Sequence, residues 1–340
     1  MNPIHHQTMK NTKLVKNIAA VLAGLLVTLG SAGASRETAR DLLELTGGKR
    51  AKVAWLQGPE NNQKLHYFDT DEGVIHKLDF GGTAPLWTSN GRVIVTSKGK
   101  APERKVVAYD TETKKVIDLV EPGPANHVIA VWTDPESKRT WIYVNDVGDN
   151  NENWDVAAGP VYRFPADNPS ERELFWDRTS SHLYLMFSED GTRACFQPSW
   201  ANIGQLSIAY TPDGKIDQDN SEYKTIGGGC FPSMAPDNSY RLFRLDGPHK
   251  NIDMTDADGK NPRSISVIDM PGVGDQNKNI WLTRWATHPR YMSLMGPSGD
   301  EARIWVGRFD EDYTEIEDWV VVSKKGGPKC WQSHVWVEQD

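Results

Sequence analysis

Short apolar segments separated by polar turns run along most of the chain. Gly227 to Gly259 shows the pattern most fully. It reads as a strand (CFPSM), a turn at Ala235-Pro236-Asp237-Asn238 and a second strand (YRLFRL). A loop from Asp246 to Lys250, a third strand (NIDMTD) and a closing turn at Ala257-Asp258-Gly259 follow. Strands this short, divided by Gly, Pro, Asn and Asp, predict an antiparallel meander. A meander of that size buries little apolar surface by itself, so its presence implies copies.

The copies are diverged but regular. A large apolar residue stands before a polar turn at Trp87 (LWTSNG), Trp132 (VWTDPES), Phe187 (MFSEDG), Met234 (SMAPDN) and Trp285 (RWATHP), about 45 to 55 residues apart. Four short strands per repeat of roughly that length is the pattern of a β-propeller blade. Five blades are predicted over residues 83–120, 126–175, 181–225, 227–269 and 280–323. The last apolar stretch, CWQSHVWV, supplies one strand only. Its partners stand at the other end as KVAWLQ, KLHYFDT and VIHKLDF. Joining them gives a sixth blade that seals the ring and removes the free edges. The expected fold is all-β: a six-bladed propeller closed by its terminal strands. The turns MAPDNSY, FSEDGT and WTSNG resemble the aromatic-Ser/Ala-Pro-Asp-Gly turn of the TolB-like, or WD40-like, six-bladed propellers of the bacterial envelope. That resemblance implies fold and leaves function open.

Before the repeats, Lys10, Lys13 and Lys16 precede an apolar run from Ile18 to Leu29, and Ala32-Gly33-Ala34 offers a small-residue cleavage site. Residues 1–34 are therefore expected to be a signal peptide and 35–340 a single propeller domain, secreted or periplasmic after cleavage near Ala34. The apolar run is too short to favour a membrane span retained in the mature chain. SRETARDLLELT, ending at Gly47-Gly48, predicts a short amphipathic helix beneath the ring. The 46 acidic residues outnumber the 38 Lys and Arg, for a formal charge of −8. Nucleic acid is thereby excluded as an expected partner, since phosphate binding needs a basic footprint. The 3 cysteines, Cys195, Cys230 and Cys330, lie in apolar strands and read as small core residues.

Candidate chemistry follows from positions within the repeat. In propellers like those this chain resembles, ligands sit where the innermost strands begin and where second strands loop to third. Blade two places His127 there and blade three His182, in the parallel phrases NHVIAVW and SHLYLMF. The matching loops hold Trp154, Trp200, His249 and Lys250, with Arg284 and Trp331 on innermost strands. His334, also on an innermost strand, is placed to reach the channel. Exposed aromatic rings at a concave mouth stack on sugar faces, so Trp154, Trp200, Lys250, Arg284 and Trp331 are the expected ligand-binding set. His127, His182 and His249 are the expected catalytic or metal-holding set, for a divalent ion such as Ca, Mn or Zn. The loop DVGDNNENWD adds Asp149 and Asp155 as oxygen ligands, although Trp154 stands where a calcium loop needs Gly.

Three readings remain open. The first is carbohydrate binding, to a glycan or uronate-containing polysaccharide, at the mouth of the central channel. The second is a lyase eliminating across a uronate, with a His base taking the C5 proton. It rests on a looser similarity to the propeller-type polysaccharide lyases. The third is a non-catalytic docking role with an envelope protein, as the TolB-like resemblance implies.

Overall fold

A computed structural model of the chain describes residues 35–59, 62–99, 103–123, 126–145, 159–177, 185–199, 202–273, 278–323 and 327–339. The expected signal peptide lies outside them.

Six four-stranded antiparallel sheets form the fold. Blade one holds β4 (Thr83–Trp87), β5 (Val93–Lys98), β6 (Lys105–Asp110) and β7 (Lys115–Val120). Blade two holds β8 (His127–Thr133), β9 (Thr140–Asn145), β10 (Val161–Pro165) and β11 (Glu173–Trp176). Blade three holds β12 (Leu185–Phe187), β13 (Arg193–Ser199), β14 (Asn202–Ser207) and β15 (Glu222–Gly227). Blade four holds β16 (Cys230–Met234), β17 (Leu242–Leu245), β18 (Asn251–Thr255) and β19 (Arg263–Ser266). Blade five holds β20 (Trp281–Trp285), β21 (Tyr291–Gly296), β22 (Arg303–Phe309) and β23 (Ile316–Val321). Blade six is the sheet β24-β1-β2-β3. It joins β24 (Cys330–Val337) to β1 (Ala51–Gln57), β2 (Lys64–Asp69) and β3 (Val74–Lys77). The closure is in register from Ala51 opposite Val337 to Gln57 opposite Cys330, as the split pattern predicts.

The core lies in the seams between blades. Phe243 of blade four stacks on Trp285 of blade five at 4.6 Å, and Phe309 packs against the same indole at 5.5 Å. Lys52 is the polar exception. Its buried Nζ donates to Gly91 O at 2.7 Å, lies 3.5 Å from Asp69, and faces the Trp87 and Trp336 rings at 5.7 and 5.5 Å. It thereby ties blade six to blade one through cation–π and charge contacts. The innermost strands of blades one, four and five are bulged, with Ala84, Phe231 and Leu282 in the left-handed region. In two of them a neighbouring glutamine receives the N–H exposed by the bulge, Gln332 for Ala84 and Gln197 for Phe231.

One anchor differs from its expected place. Thr133, opposite Thr140, ends β8, and the Asp134 N–H closes the turn on Arg139 O. Trp132 therefore stands one residue earlier than the Trp87 and Phe187 positions, and a shift of one residue turns a strand side chain to the other face. Its indole crosses to blade three, donating Nε1 to Ser188 O and Glu189 O at 3.1 Å each. Trp336, one residue before the end of β24, reaches blade one in the same way, donating to Ser89 O at 2.7 Å. Each ring lies on the turn glycine of the next blade, Gly191 or Gly91, at a distance where a Cβ would collide.

The helix α1 covers residues 35–45. Ala39, Leu42 and Leu45, spaced along one face, join the core shared by blades four, five and six. Arg308 Nη1 donates to Leu45 O at 2.9 Å. All 3 cysteines are buried free thiols.

Candidate functional site

The ring has two mouths, a start rim where innermost strands begin and an end rim where they turn outward. Much of the expected chemistry at the start rim, namely Trp154, Trp200, His182, Asp149 and Asp155, lies outside the described residues. Of the described members of that set, the two histidines are buried and Lys250 and Trp331 are half-buried. His127, 1% exposed, opens β8 with Nδ1 3.5 Å from Thr83 Oγ1. His249 is 5% exposed, with its ring against Trp281 at 4.4 Å and Phe231 at 5.7 Å. Burial, outweighing the nearby Asp246, holds its pKa below the ordinary imidazole value. Lys250 is held by its backbone, donating N–H to Asp246 Oδ1 at 2.8 Å. Trp331 donates Nε1 to Gly58 O at 3.2 Å, beneath Lys329 at 4.2 Å. Among the described residues, no group of three or more His, Cys, Asp or Glu is placed to hold a metal ion.

At the end rim the structure opens a cavity of about 420 Å³ to which all six blades contribute. This is within the range of small-molecule sites, about 300 to 1,000 Å³. Trp87, Trp132 and Phe187 give it aromatic walls, and Asp134, Lys138 and Glu189 stand in its lining as charged groups. Asp134 Oδ1 is turned into its own loop, accepting the N–H groups of Glu136 and Ser137 at 2.8 and 3.3 Å. Glu189 Oε2 receives Asn238 Nδ2 at 3.4 Å from blade four.

His334 is the buried titratable group of this mouth, 7% exposed and part of the lining. Its Nδ1 accepts the Trp87 N–H at 2.9 Å, so the neutral ring carries its proton on Nε2. Burial first, and then the positive charge of Arg284, push its pKa down to about 3. The imidazole is therefore neutral at any ordinary pH. Arg284 is 5% exposed on β20.

His334 is expected within reach of the channel, whereas Trp87, Trp132 and Phe187 are expected only as repeat anchors before their turns. These anchors are core and cavity wall together, because a residue at the end of an innermost strand stands at the end rim. Lys138 and Asp134 carried a signal only in being the turn after that strand.

No protein-family model and no curated relative matches the chain. Among solved structures it is similar to TolB from Acinetobacter baumannii, with a TM-score of 0.58 and 11% sequence identity over 86% of this chain and 69% of that one. It is also similar to a chain of the nidogen/laminin complex, with a TM-score of 0.54 and 8% identity over 84% of this chain and 98% of that one. At such identities the likeness is one of architecture, and by architecture this chain is a six-bladed β-propeller.

Proposed function

We propose that the chain is an exported binding propeller that takes a carbohydrate at the end-rim mouth. The observation that carries this reading is the six-blade cavity itself, with aromatic walls and a few fixed polar groups, the usual composition of a small-ligand site. Trp132 supplies a half-buried ring for stacking on a sugar face. The test is calorimetric titration of the mature protein with neutral and acidic oligosaccharides, repeated on Trp132→Leu after its fold is checked by thermal melting. Binding weakened about ten-fold or more by Trp132→Leu, which is about 1.4 kcal/mol, supports the proposal. No heat with any sugar at millimolar concentration overturns it. Absorbance at 235 nm during the same incubations separates binding from elimination, since only a lyase forms an unsaturated uronate.

A further inference from the structure

The inner end of the cavity holds a hydrogen-bond donor that the fold does not use. The seams between blades need an acceptor for the backbone N–H at the end of an innermost strand. At the seam of blades four and five a serine suffices, Ser233 Oγ receiving the Trp285 N–H at 2.7 Å. At the seam of blades six and one the same task falls to His334 Nδ1. A histidine does this with a second ring nitrogen left over. Nε2 bears the proton, is outside the ring's one hydrogen bond among the described residues, and belongs to a ring that lines the cavity. Arg284 is the charged group whose field reaches this imidazole, and neither Asp134 nor Glu189 contributes there. The acids of the lining are held away, Asp134 by its own turn and Glu189 by Asn238. Lys138 is an exposed cation in the lining, with no ion pair to a described residue.

We propose that the end-rim mouth takes an acidic sugar, and that the Nε2–H of His334 is the donor that receives its carboxylate. This rests on the carbohydrate reading above and names the class of sugar. A donor that feels the positive charge of the buried Arg284 favours an anionic acceptor over a neutral one, and hydrogen bonds to charged groups are the stronger kind. Lys138 adds a second, solvent-screened attraction.

The experiment uses two side chains that divide the two jobs of the imidazole. Asn places its Oδ1 where the ring holds Nδ1, so His334→Asn keeps an acceptor for the Trp87 N–H and loses the donor. Gln places an amide near Nε2, so His334→Gln keeps a donor and loses the strut. Wild type and both variants are titrated calorimetrically with trigalacturonate and with its methyl ester, which replaces each carboxylate by a neutral ester one methyl group larger. The wild type is expected to bind the acid at least about ten-fold more tightly than the ester. His334→Asn is expected to lose most of that preference, about ten- to a hundred-fold in affinity for the acid. His334→Gln is expected to keep the preference while melting at a lower temperature. Equal affinities for acid and ester in the wild type, or a preference that survives His334→Asn, overturns the assignment. If acid, ester and neutral sugars bind alike and Trp132→Leu weakens them all, the carbohydrate reading stands and this inference alone fails. If nothing binds, both fail.

Discussion

The buried imidazole of His334 makes a quantitative prediction about stability that is independent of any ligand. Its folded-state pKa is pushed down to about 3, whereas an unfolded histidine titrates near 6.5. Below pH 6.5 the unfolded chain therefore binds a proton that the folded chain refuses, and folding stability is lost as the pH falls from about 6.5 toward 3. Integrating the difference between pH 7.5 and pH 5 gives about 2 kcal/mol from this one residue. His334→Asn removes the titration while leaving an acceptor for the Trp87 N–H. It carries a constant cost for lost volume, and that cost does not depend on pH. Urea unfolding followed by tryptophan fluorescence at pH 7.5, 6 and 5 measures both proteins. His66 and His249, also lowered by burial, weaken both equally and cancel in the comparison. The gap between wild type and variant should close by about 2 kcal/mol on acidification. That is about 0.7 M in midpoint at a slope of about 3 kcal/mol/M. Parallel losses in the two proteins would refute the placement of a neutral imidazole in the seam.

Two further outcomes follow from buried groups. Cys195, Cys230 and Cys330 are free and buried, with burial pushing the Cys330 thiol up to about 11 and the other two upward as well. Ellman's reagent should find no reactive thiol in the native protein within minutes and 3 equivalents in guanidinium; fewer after unfolding would reveal a disulfide. Gly191 sits at φ +70 with the Trp132 ring 2.5 Å from where a Cβ would stand. Gly191→Ala should therefore cost at least about 2 kcal/mol in chemical denaturation and displace the indole from the cavity wall. A loss under about 0.5 kcal/mol would mean that the ring is not fixed on that turn.

The propeller was legible because its cause is periodic. Four of the blades end an innermost strand on a large apolar residue and turn at once. Trp87, Phe187, Met234 and Trp285 record that pattern at spacings of one or two repeats of about 50 residues. The ring closure was legible for the same reason, since CWQSHVWV had one strand's worth of pattern and the chain's beginning had three. Register was less accessible. Nothing in VWTDPES distinguishes a strand ending at Trp132 from one ending at Thr133, yet that single residue decides whether the indole faces blade one or blade three. A slip of one residue therefore moves a side chain from core to cavity wall.

The site was less legible than the fold because a histidine in a strand looks alike in every role. His127 and His334 both stand on innermost strands in apolar company, and the sequence separates them by rim alone. His127 opens its strand and is enclosed at the start rim. His334 stands later in β24, where the Trp87 N–H across the seam takes one ring nitrogen and leaves the other at the cavity. What distinguishes them is a backbone donor 247 positions away in the chain, a contact created by ring closure. The same closure that removes the sheet edges assembles the inner end of the mouth. Blade six brings His334 from the C-terminal strand against blade one, and Arg284 of blade five supplies the charge behind it. A substitution that loosens the seam of blades six and one should therefore weaken ligand binding along with stability.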